Sequence, residues 1–89
     1  MAGFEGKKII QNLLTLEKCL ILDDDFLELS LQRKILTQRM IKYIMRNGTP
    51  SLNYCMKLLR LGPDAFTQFI DILIETKQNA IMLLLLTTA

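Results

Sequence analysis

Apolar residues recur at three- and four-residue intervals along most of this chain, and short polar, Gly or Pro breaks separate the runs. That spacing is the mark of one buried helix face. A first helix is predicted roughly from Lys7 to Leu20, with Ile9, Ile10, Leu13, Leu16 or Glu17, and Leu20 near one stripe. Asp23, Asp24 and Asp25 follow. They suit a helix start, where side-chain oxygens cap free amides and negative charge meets the positive end of the helix dipole. The second helix runs from there to about Lys34, with Leu27, Leu31 and Leu29 facing inward.

Thr37 is placed to cap a third helix, whose buried stripe is Met40, Ile41, Ile44 and Met45. Arg39, Lys42 and Arg46 fall on its other side. Asn47-Gly48 ends it, since both tolerate left-handed backbone. Pro50 and Ser51 begin a fourth helix that packs Leu52, Cys55, Leu58 and Leu59 and exposes Lys57 and Arg60. Gly62 ends that helix. Pro63 opens a fifth, at the turn where a missing N–H costs nothing. Its apolar face is Ala65, Phe66, Phe69, Ile70 and Leu73. Asn79 caps a sixth helix running into Thr87-Thr88-Ala89. Strand-like alternation persists nowhere, and no internal repeat is present. The pattern predicts an all-α fold, an antiparallel six-helix bundle with short loops, as one domain over residues 1–89.

Composition narrows the function classes. Half of the 89 residues are hydrophobic and 22% are charged, too apolar a mix for a disordered tail. The net charge of +2 does not by itself make a nucleic-acid binder. The chain has no His, which removes the usual general base and the commonest metal ligand. Neither Cys19 nor Cys55 has a His partner, and no CxxC spacing exists, so both read as free, buried thiols of a cytosolic protein. Asp23, Asp24, Asp25 and Glu28 lack the alternating spacing and Gly of a calcium loop. The glycines are too scattered for a phosphate loop. The expectation is a chain without catalysis or cofactor. The apolar run Ile81–Leu86 is too short to span a bilayer, and one helix cannot bury all of it, so part of it is expected to be exposed.

Six amphipathic helices without chemistry fit several folds, and a motif separates them. Leu61-Gly62-Pro63-Asp64-Ala65-Phe66-Thr67-Gln68-Phe69 resembles the R-G-P-x-A-F-x-x-F junction between the fourth and fifth helices of caspase-recruitment domains (CARDs), with Leu61 where Arg is usual. Glu75-Thr76-Lys77-Gln78, followed by Leu85-Leu86-Thr87-Thr88, is similar to the end of the caspase-2-like members of that family. Lys34-Ile35-Leu36-Thr37, followed by Met40, resembles their junction between the second and third helices. Met82 and Leu83 depart from it, standing where that pattern has acidic residues. The resemblance covers about Lys7 to Ala89.

It implies a Greek-key bundle of the death-fold type whose work is to bind another CARD. The implied setting is apoptotic signalling, in the cytoplasm or also the nucleus. The implied task is recruitment of an initiator caspase to a RAIDD-like adaptor, with self-association as a further option. A CARD-only decoy or an adaptor CARD remains an alternative. The basic third helix also fits a helix-turn-helix nucleic-acid binder, a reading that low net charge disfavours. Neither nucleic acid nor membrane is the expected partner. CARD pairs commonly join a basic face on helices one and four to an acidic face on helices two and three. The candidates here are Lys8, Lys18, Lys57 and Arg60 on the basic side, and Asp23, Asp24, Asp25 and Glu28 on the acidic side. Charges on helix surfaces are ordinarily only solvated faces. The basic third helix also shrinks the acidic side to helix two. Met40, Met45, Met56 and Met82 read as core filler.

Overall fold

In a computed structural model, which describes residues 4–88, seven helices surround one core and no strand is found among the described residues. They are α1 (Phe4–Gln11), α2 (Leu13–Cys19), α3 (Asp24–Gln32), α4 (Gln38–Arg46), α5 (Pro50–Leu59), α6 (Pro63–Glu75) and α7 (Asn79–Thr87). The closest pairings set α5 against α2 and α4, α6 against α3, and α7 against α6 and α1. None of these helices is long and apolar enough to cross a membrane.

The expected first helix is two helices, with the break at Asn12. Its side-chain amide donates to the Lys8 carbonyl at 2.7 Å, competing with the helical ladder, and to Thr88 Oγ1 at 2.9 Å beyond the end of α7. The Asn12 backbone N–H tightens to Ile9 O. The change of register buries Ile9, Leu16 and Leu20 while Ile10 and Leu14 face solvent, so Ile10 leaves the expected stripe.

Elsewhere the punctuation works as its chemistry requires. Asp23 Oδ1 accepts from the Phe26 amide at 2.9 Å, and Thr37 Oγ1 accepts from the Met40 amide at 3.2 Å. Gly48 has a left-handed φ of +51°, and Pro50 and Pro63 stand in the first turns of α5 and α6. Asn79 does not cap α7. Gln78 takes the N-cap position without a capping bond, because its amide is held by the Ile21 backbone.

The core centres on Phe26, Tyr54 and Phe69, one each from α3, α5 and α6. Their ring centroids lie 5.3, 5.7 and 6.1 Å apart, mostly edge-to-face. Ser30 donates to Phe26 O at 3.0 Å, which spends its one hydroxyl proton, so the Tyr54 hydroxyl donates to Ser30 Oγ at 2.8 Å. On α3 the fully buried positions are therefore Phe26 and Ser30, while Leu27, Leu29 and Leu31 are only partly buried. Met45 and Met56 are exposed rather than core filler, and Met40 and Met82 pack at its edge. Cys55 is buried, but Cys19 is exposed at the end of α2, against expectation. Ile81 and Leu85 of α7 are buried while Leu83 and Leu86 are exposed.

α3 and α6 end alike. Lys34 and Lys77 adopt φ of 60° and 63°, and the next residue's amide reaches back to Ser30 O and Leu73 O respectively. This is the Schellman ending, in which Gly is favoured because any Cβ is strained there. Lys34→Gly and Lys77→Gly are each expected to stabilise the fold by about 0.5–1 kcal/mol, read as an increased urea midpoint with unchanged slope. A second expectation concerns alkaline pH. Burial pushes the Cys55 thiol from 9.0 up to about 12. Burial also raises the Tyr54 phenol. Both groups stay neutral in the fold while the unfolded chain ionises them near ordinary values. The Cys55 contribution is therefore intact below about pH 9 and the Tyr54 contribution below about pH 10, and each is lost as pH rises further, at about 1.4 kcal/mol per unit. Stability curves of Cys55→Ala should lack the first part of that alkaline decline.

Candidate functional site

Charge is distributed unevenly over this fold, and the reason is local. Three consecutive carboxylates at Asp23–Asp25 are tolerated because they stand at the α3 N-terminus, where the helix dipole favours them. Asp23 is the cap. Asp24, Asp25 and Glu28 are exposed and have no ion-pair partner among the described residues. Asp23, Asp25 and Glu28 line a groove of about 400 Å³ whose other wall is Glu75, Thr76 and Lys77. Asp24 lies outside that lining. Among the described residues no group of His, Cys, Asp or Glu side chains is placed to hold a metal ion.

Two of the three carboxylates of α6, Asp71 and Glu75, are paired within the chain. Arg33, at the end of α3, donates to Gln68 Oε1 at 2.7 Å and to Glu75 Oε1 at 2.9 Å, and lies 3.5 Å from Asp71. These three partners sit three, four and seven residues apart, on one face of α6. The clamp pins α3 to α6, while the three consecutive carboxylates at the α3 start have no ion-pair partner among the described residues. The sequence reading passed over Arg33, because nothing local shows which helix its side chain will meet.

On the opposite sign, the structure brings Lys57 and Arg60 together. They line a groove of about 140 Å³ with Tyr43, Asn53 and Met56, where α5 packs against α4. Lys57 Nζ stands 5.6 Å from the centre of the Tyr43 ring, a cation–π arrangement, which leaves Lys57 only partly exposed. Asn53 fixes one end by donating its amide to the carbonyls of Ile44 and Asn47. Lys8 and Lys18 do not line this groove. Lys18 is exposed on α2, which packs on α5, and Lys8 is partly buried on α1 beyond the Asn12 break.

Tyr43 was not anticipated. It is 58% exposed while Tyr54 is fully buried. The available signal was helical spacing, since Arg39 and Arg46 stand four residues before and three after Tyr43, on the polar side of α4. Arg39, Lys42, Arg46 and Arg60 are exposed and have no ion-pair partner among the described residues.

Arg33→Met is expected to cost about 1 kcal/mol, because the pairs it breaks are half in solvent and only the Gln68 and Glu75 bonds have close geometry. Urea unfolding measures it, and an unchanged midpoint would remove the clamp from the account. Comparison with protein-family models, curated proteins and solved structures finds no match to this chain.

Proposed function

We propose that this chain is a non-catalytic protein-docking domain of the CARD type, a six-unit Greek-key death fold in which α1 and α2 together count as the first unit. In this reading it recruits an initiator caspase of the caspase-2 kind to a RAIDD-like adaptor. The observation that carries the reading is the presence, on one small all-helical domain, of a charged face of each sign that its own chain leaves unneutralised. Exposed charges that no ion pair within the chain satisfies are available to a partner. The buried Phe66 and Phe69 behind the Gly62-Pro63 junction support the family resemblance, because the motif needs both as core anchors.

The basic side of the docking surface is Lys57 and Arg60, extended by Lys18; Lys8, half-buried on α1, is not counted among its unneutralised charges. The acidic side is Asp23, Asp24, Asp25 and Glu28. A single exposed pair contributes about 0–1 kcal/mol, so useful affinity needs several pairs together and falls with salt. Lys57→Glu combined with Arg60→Glu should weaken binding to the CARD of a RAIDD-type adaptor at least about tenfold in a pull-down or titration, with helicity retained. Undiminished binding by the double variant refutes the basic-face assignment.

A further inference from the structure

We infer that Asn47 is a self-modifying site: the Gly48 backbone nitrogen attacks the Asn47 side chain, and the aspartate or isoaspartate that results disrupts one end of the α4–α5 groove. Of the chain's four asparagines, Asn47 alone precedes a glycine, while Asn12, Asn53 and Asn79 precede Leu13, Tyr54 and Ala80. The neighbour matters because the ring closes only when the next backbone nitrogen reaches the Asn Cγ. A Cβ on that next residue obstructs the approach, and Gly has none. Asn47 and Gly48 are both exposed, just past the end of α4. Nothing lies within 4 Å of where a Gly48 side chain would begin, so the ring has room to form. The Gly48 N–H makes no hydrogen bond among the described residues, which leaves its nitrogen free to lose a proton and attack. Exposed Arg46 adds positive charge beside the pair, which favours the anionic nitrogen.

The Gly48 nitrogen gives its proton to hydroxide or a buffer base and bonds to Asn47 Cγ. The Cγ–Nδ2 bond breaks, ammonia leaves, and a succinimide joins the two residues. Water then opens the ring. Attack at Cγ yields aspartate, and attack at the main-chain carbonyl yields isoaspartate, whose chain runs on through Cβ and Cγ. In the unmodified fold the Asn47 side-chain amide donates to the Tyr43 carbonyl at 2.8 Å, and Asn53 donates to the carbonyls of Asn47 and Ile44. Neither product keeps the amide donor. A carboxylate in its place meets a carbonyl at the negative end of the α4 dipole, which disfavours it. Isoaspartate also displaces the carbonyl that Asn53 holds. Asn53, Lys57 and Arg60 follow one another at four and three residues on one face of α5, so the new charge lies at one end of the groove's cationic row. One added carboxylate takes the formal net charge from +2 to +1. The bond to Tyr43 also restrains the reaction, since Cγ must leave that carbonyl before the Gly48 nitrogen reaches it. The rate in the folded chain therefore follows local opening of the α4 end.

The reaction at Asn47 stands without the recruitment reading, and only its effect on docking rests on it. The purified chain, held in heavy-oxygen water at mildly alkaline pH, should accumulate a more acidic species on ion exchange. Peptide mass spectra should place the heavy oxygen at residue 47, and an isoaspartyl methyltransferase with a labelled methyl donor should mark the same peptide. The species should appear faster as pH rises. Asn47→Gln and Gly48→Ala should each suppress it, the second with the Asn47 amide still present, and circular dichroism serves as the folding control. The converted chain, separated from its parent, should show displaced amide shifts at Tyr43, Asn53 and Lys57, and it should bind a RAIDD-type CARD more weakly. Conversion spread over Asn12, Asn53 and Asn79, a rate that Gly48→Ala leaves unchanged, or a converted chain with the parent's groove shifts would each overturn the inference. A converted chain with displaced groove shifts but undiminished binding upholds the site and counts against the basic-face reading instead.

Discussion

Phe26, Tyr54 and Phe69 share one small volume, and every other feature of the fold is arranged around that fact. Each ring comes from a different helix, so their edge-to-face contact fixes α3, α5 and α6 together. Tyr54 brings a hydroxyl into an apolar interior, where an unsatisfied donor costs about 1–3 kcal/mol. Ser30 answers it, and Ser30 is itself anchored on the Phe26 carbonyl. Truncating the tyrosine to Ala would open a cavity and strand polar groups in one step. The same contact fixes the acidic start of α3 relative to the groove on α5.

The surface follows a division of labour. Arg33 quenches Asp71 and Glu75 of α6, and a cap and a helix dipole stabilise the carboxylates at the start of α3 without neutralising them. Charge therefore survives where it does not burden the fold. Charge alone makes a weak and salt-sensitive contact. A few apolar side chains placed among the charges change the balance, because each buried aliphatic group adds about 1.5–3 kcal/mol. Tyr43, Met56 and Ile21 hold such positions, and all three are exposed.

The parts of this fold legible in sequence were those set by local backbone chemistry. Asp23, Thr37, Gly48, Pro50 and Pro63 mark helix boundaries because capping, left-handed backbone and fixed φ act within a few residues. The Asn12 break was not legible, since Asn also fits the polar face of an unbroken helix and its partner Thr88 lies 76 residues away. The same limit applies to Lys34 and Lys77, which take a conformation that only the surrounding packing imposes. Burial of Tyr54 against exposure of Tyr43, and of Cys55 against Cys19, depends on which neighbours the bundle supplies. At the charged surfaces, Lys57 and Arg60 were readable as a pair by their spacing. Their grouping with Tyr43 and separation from Lys8 and Lys18 depend on how the helices pack.

The central claim is that two charged faces of this domain dock sister modules without chemical change to either. Amide chemical-shift mapping of the isotope-labelled chain, titrated with an unlabelled RAIDD-type CARD, tests it directly. The account expects perturbations gathered on the start of α3 and on α5, shrinking as salt is added. Shifts confined to the exposed leucines of α7, or a pattern indifferent to salt, would contradict it.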